Sequence, residues 1–66
     1  MIKKLENKTK EIVARYNKEI KKHNEYFFFV LHGNVITENG SDGYNFYEIN
    51  GNDDLIEFER INKEKL

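Results

Sequence analysis

The sequence predicts an α+β fold: an N-terminal amphipathic helix packed on one face of a three- to four-stranded antiparallel β-meander. Three observations carry this. Apolar residues recur at steps of three and four from Ile2 to His23. After Asn24 the period changes to two, beginning with the run Tyr26-Phe27-Phe28-Phe29-Val30-Leu31-His32. From Gly33 onward, β-prone runs alternate with clusters of Gly, Asn and Asp. A helix repeats its faces every 3.6 residues and a strand every two, so the change of period marks the change of structure.

The helix is expected over residues 2–23. Ile2, Leu5, Thr9, Ile12, Val13, Tyr16, Ile20 and His23 fall on one stripe, and no Gly or Pro interrupts them. The pairs Glu6–Lys10 and Glu11–Arg15 have the favourable i,i+4 order, worth a few tenths of a kcal/mol each. Lys21, Lys22 and His23 complement the negative end of the helix dipole, and Asn24 suits the position just beyond it.

Four strands follow, at about residues 26–32, 35–38, 44–50 and 55–61. Gly33-Asn34 between two β-prone runs is a hairpin signal. The cluster 39–43 and the segment Gly51-Asn52-Asp53-Asp54 supply the remaining loops, since Gly accepts positive φ and Asn and Asp bond their own backbone. Residues 62–66 form a charged tail. The whole chain, residues 1–66, is one small domain.

Alternation assigns the faces. A two-residue loop sets Leu31 opposite Ile36 and Phe29 opposite Glu38. A four-residue loop sets Ile49 opposite Ile56, Tyr47 opposite Phe58, and Glu48 opposite Glu57. The last pair is unfavourable and implies either a bulge or a cationic partner. The helix-facing set is then Phe27, Phe29, Leu31, Ile36, Tyr47, Ile49, Ile56 and Phe58, packed on Ile2, Leu5, Ile12, Val13, Tyr16 and Ile20.

The remaining face is the candidate partner-binding surface: Tyr26, Phe28, Val30, Tyr44, Phe46, Glu48, Glu57 and Glu59. One helix cannot cover both sides of a sheet. Aromatic rings left uncovered with carboxylates around them match the anatomy of a protein interface. The competing reading is an inversion of the two faces, in which these rings would be the core. A chain of 66 residues buries only about 60% of the surface it exposes when unfolded, and association is a common remedy at that size.

Charge is lopsided within a net of −1. Residues 1–25 carry eight basic and four acidic side chains, residues 26–66 three basic and eight acidic. Lys4, Lys8, Arg15, Lys18 and Lys22 form a ridge away from the apolar stripe, and a ridge of that kind can follow phosphates. Glu11 interrupts it, and neither a Gly-rich phosphate loop nor an aromatic stacking platform adjoins it. Nucleic-acid binding through this ridge is therefore the runner-up, and most lysine-rich helix faces are merely solvated. The carboxylates Glu38, Asp42, Glu48, Asp53, Asp54, Glu57 and Glu59 lend the second half a negative field, too weak overall to mimic a phosphate backbone.

Several classes are excluded or lack support. There is no cysteine, which removes disulfides, thiolate metal sites and cysteine nucleophiles. His23 and His32 are the only histidines and Ser41 the only serine. Their spacing supports neither a zinc site nor a Ser–His–Asp arrangement, and the Asp-rich loops do not match a calcium loop. No cofactor and no metal are expected, and the chain is not read as an enzyme. No apolar stretch approaches the roughly 20 residues of a membrane span, and no apolar leader follows Lys3 and Lys4. The expected setting is cytoplasmic, with no membrane partner. The Lys-, Asn- and Ile-rich composition suits an AT-rich genome such as that of a low-GC bacterium or its phages. The functional expectation is a non-enzymatic protein–protein interaction protein: a homodimer, a binder of a larger host protein, or both. Its concrete form is a phage- or mobile-element-encoded inhibitor.

Overall fold

The computed structural model describes residues 2–40 and 43–65. Helix α1 spans Lys3–Lys21, strand β1 Phe28–His32, strand β2 Val35–Gly40, strand β3 Gly43–Glu48 and helix α2 Asn52–Asn62, followed by a 3₁₀ turn at Lys63–Lys65. The strands form one antiparallel sheet in the order β1-β2-β3, with both helices on the same face. The architecture is α+β: an N-terminal helix on a three-stranded antiparallel sheet, closed by a short C-terminal helix.

Helix α1 buries Leu5, Thr9, Ile12, Val13, Tyr16 and Ile20. Ile2 and His23, at the two ends of the expected stripe, are exposed; Ile2 is the N-cap, before the helix has turned its side chains inward. Thr9 Oγ1 donates to the Leu5 carbonyl at 2.7 Å, so its hydroxyl is satisfied by its own helix.

The β1–β2 hairpin has the expected register. Leu31 stands opposite Ile36 and Phe29 opposite Glu38. Gly33 turns the chain at φ 61, a left-handed conformation that a side chain would strain. The first strand starts two residues later than expected, at Phe28, because the Asn24 carboxamide accepts the Tyr26 N–H at 3.1 Å and holds residues 24–26 in a turn. The second hairpin is tighter than expected. Strand β2 runs on to Gly40, which pairs with Gly43, so part of the expected turn cluster 39–43 is strand; Ser41 and Asp42 lie outside the described residues. Strand β3 correspondingly ends at Glu48 rather than residue 50.

The fourth strand expected over 55–61 does not form; that segment is the core of α2. Leu55, Phe58 and Asn62 are its buried residues, at i, i+3 and i+7, while Ile56 is 61% exposed. The pairings of Ile49 with Ile56, Tyr47 with Phe58 and Glu48 with Glu57 therefore do not exist as strand partners, and Glu48 stands opposite Val35. The residues read as a loop start the helix instead. Gly51 is its N-cap and Asp53 and Asp54 occupy its first turn, where negative charge is favoured. The Asp54 carboxylate accepts the Asn50 N–H at 2.8 Å and fixes the entry. Arg60 lies in the last turn, and Asn62 donates to the Phe58 carbonyl at 2.9 Å.

The core lies between the helices and the sheet. Phe29 is its hub: its ring meets Phe58 at 5.1 Å, Phe27 at 5.4 Å and Tyr16 at 6.3 Å, all edge-on. Leu5, Ile12, Val13, Ile20, Ile36, Ile49 and Leu55 complete it. Phe27 packs over Gly40, where an added Cβ would come within 3.2 Å of the ring. The free edge of β1 is closed by α1: Asn17 Oδ1 accepts the Phe29 N–H at 2.7 Å, and Asn17 Nδ2 donates to the Phe29 carbonyl at 2.9 Å. One side-chain amide takes the place of a neighbouring strand.

Candidate functional site

The strand register arranges the outer face of the sheet in three rows. Phe28, Asn39 and Tyr44 form the first, Val30, Thr37 and Phe46 the second, and His32, Val35 and Glu48 the third. Successive positions of a strand alternate between the faces, so these nine register positions belong to the side away from both helices. Phe28 is 46% exposed and Phe46 63% exposed. Val30, Val35, Thr37 and Asn39 are half-buried among them. The placement of the Tyr44 side chain is outside the described structure; its backbone holds the register position opposite Asn39. Tyr26 precedes β1 and is 75% exposed.

The face holds one formal charge at neutral pH, Glu48. Its Oε1 accepts from Asn50 Nδ2 at 2.9 Å, and Asn50 Oδ1 in turn accepts from Asn34 Nδ2 at 2.9 Å. This chain ties the β1–β2 turn to the end of β3 and fixes the carboxylate at one corner of the face. His32 occupies the other corner of the same row, exposed at the end of β1.

Two members of the expected surface do not belong to it. Glu57 and Glu59 ride on α2, on the helix side of the sheet. Glu57 is engaged by Arg60 of the same helix, whose hydrogen bonds hold its carboxyl below the usual range. Glu59 accepts from Arg15 of α1 at 2.8 Å, and its carbonyl accepts from the Tyr16 hydroxyl at 3.4 Å. Glu59 ties α2 to α1 and Glu57 pairs within α2, so neither frames the aromatic face. The alternation of Ile56 and Phe58 with Glu57 and Glu59 reads equally well at either period over so few residues.

Glu38 is likewise absent from the negative surface. It lies on the helix side, 8% exposed, and accepts from the Tyr47 hydroxyl at 2.9 Å and from Asn45 Nδ2 at 3.1 Å. Burial, and secondarily the bond to Glu38, push the Tyr47 hydroxyl pKa up. The register that set Glu38 opposite Phe29 already contained this result.

The lysine ridge is exposed along its length, with Lys4, Lys8, Arg15, Lys18 and Lys22 all at the surface. It is partly neutralised. Arg15 bridges to Glu59 and lies 5.9 Å from the Tyr16 ring centroid, while Lys22 bridges to Glu19 at 3.3 Å. Lys4 and Lys8 line a shallow cleft with Asn50 and Asn52. Among the described residues no group of three His, Asp or Glu side chains is placed to hold a metal ion. No helix among the described residues is long and apolar enough to cross a membrane. No family model matches the chain, and neither a curated protein nor a solved structure matches it.

Proposed function

We infer that this chain is a small non-enzymatic interaction protein that acts through the outer face of its sheet. The observation that carries the reading is the face itself: Phe28 and Phe46, on strands β1 and β3, remain 46% and 63% exposed, while Phe29 beside Phe28 is buried and Tyr47 beside Phe46 is half-buried. An apolar patch held on a rigid sheet is the usual foundation of a protein interface. The finer version is an inhibitor that occupies a larger protein, for which a short chain with one such face suffices. Binding of nucleic acid through the helix ridge is the weaker reading, because Arg15 and Lys22 are already engaged by Glu59 and Glu19.

Affinity capture with three baits tests this. The parent chain is compared with a Phe28→Asp/Phe46→Asp variant and with a Lys4→Gln/Lys8→Gln/Lys18→Gln/Lys22→Gln variant. The expected result is a protein retained by the parent and by the glutamine variant but lost by the aspartate variant. Retention that follows the lysines instead, together with salt-sensitive binding of DNA or RNA, would favour the ridge.

A further inference from the structure

The outer face is self-complementary in a way that names its occupant. A twofold axis in the plane of contact and parallel to β2 would superpose β1 of one copy on β3 of the other and keep the rows aligned. Sheets packed face to face keep their strand directions within about 30°, so row order survives such stacking. Phe28 then meets the row position of the partner's Tyr44, Val30 meets the partner's Phe46, and Thr37 meets its own counterpart on the axis. In the third row His32 meets the partner's Glu48, and Val35 meets its own counterpart. The only charged side chain of the face thus lands on the only titratable base, twice per pair, and no like charges meet.

We propose that two copies of this chain associate face to face across a twofold axis parallel to β2, with His32 of each against Glu48 of the other. The proposal rests on the interaction reading above and specifies its partner. An imidazole N–H donates naturally to a carboxylate, and Glu48 is presented for it: Asn50 holds Oε1 from the side. The nine positions include no Lys or Arg. Bases stacked on these rings would therefore bring phosphates without a cation to meet them, which disfavours an oligonucleotide as occupant. Three strands about 4.8 Å apart, with five residues each at about 3.4 Å, give a patch of roughly 14 by 17 Å. That is small against the ~800 Å² per partner of a standard interface, so the pair is weak and concentration-dependent.

Sedimentation equilibrium of the full chain, from micromolar to near-millimolar concentration, tests it with two exposed-site variants. His32→Glu places two carboxylates together at each contact, and Glu48→Lys places a lysine against each imidazole. Each variant alone should associate about three- to tenfold more weakly than the parent, because His32→Glu sets like charges together and Glu48→Lys removes the carboxylate that accepts from each imidazole at a partly solvated contact. An equimolar mixture should recover parental association, because one contact then joins the new carboxylate to the new lysine and the other is the native pair. Circular dichroism should show both variants folded, and Phe46→Asp should be monomeric. The proposal is overturned if the parent is monomeric throughout, if the two variants associate as the parent does, or if mixing restores nothing. It is also overturned if the chain binds a single-stranded oligonucleotide that Phe46→Asp releases. A monomeric parent whose captured partner is still lost with Phe28→Asp/Phe46→Asp would end self-association and leave the interaction surface standing.

Discussion

The two faces of the sheet are built from the same residue types and treated oppositely. Phe28 and Phe29 are adjacent in the chain, yet Phe28 is 46% exposed and Phe29 2% exposed. The inner face meets two helices and gathers three rings around Phe29, from α1, α2 and the residue before β1. Neither helix packs on the outer face, where Phe46 is 63% exposed. Hydrophobicity does not separate these residues; the parity of the strand does, once the helices have taken one side. A ring's contribution to stability is thus decided by how much of the chain is laid against it.

The sharpest way to break this comparison is to truncate both rings. Phe29→Ala should cost about 3–5 kcal/mol and unfold much of the population, whereas Phe28→Ala should lie within about 1 kcal/mol of the parent in urea denaturation. The reverse order would mean that the faces are inverted. The same contrast applies within α2. Leu55→Ala should cost about 2–4 kcal/mol and Ile56→Ala about 0.5 kcal/mol or less, whereas a strand over this segment would not give i, i+3 burial.

Closure of the β1 edge gives a smaller effect. Asn17→Ala removes both bonds to the Phe29 backbone and should cost about 1–3 kcal/mol, with faster amide exchange at Phe29 as the local readout. The inner face also carries a pH signature. Burial raises the hydroxyl pKa of Tyr16 and Tyr47, so the unfolded chain releases these protons first. Their contribution is intact below about pH 10 and is lost as pH rises through the raised folded values. Thermal melts should therefore fall more steeply above that pH for the parent than for Tyr47→Phe. The smallest effect is at the surface: Arg15→Ala, which breaks the bridge to Glu59, should cost about 1 kcal/mol or less and lose its effect at high salt.

Much of the fold was legible without coordinates, and the misreadings share a cause. Helix α1 was readable because its stripe persists over five turns, far longer than chance alternation. The β1–β2 register was readable because Gly33-Asn34 leaves one arrangement of a two-residue turn. The segment 55–61 was misread because Leu55-Ile56-Glu57-Phe58-Glu59 fits both periods. The first-turn acids Asp53 and Asp54, with Arg60 towards the end, are the signal for a helix, although by themselves the acids suit a loop equally well and Arg60 a strand. That one error also misplaced Glu57 and Glu59, whereas Phe28, Val30 and Phe46 were placed on the outer face by alternation alone.

What the sequence by itself determined is therefore local and periodic: a long amphipathic helix, a hairpin at Gly33, and a sheet whose alternate residues are apolar on both sides. Such properties depend on neighbours a few residues apart, which the chain order states directly. What only the tertiary structure decided is which apolar side is covered and how each polar group is used. Asn17 closes a strand edge twelve residues away, Glu38 is buried against Tyr47, and Arg15 reaches across forty-four residues to Glu59. Those outcomes depend on how the helices and strands dock on one another, because burial and hydrogen bonding are set by whatever surface arrives from elsewhere in the chain.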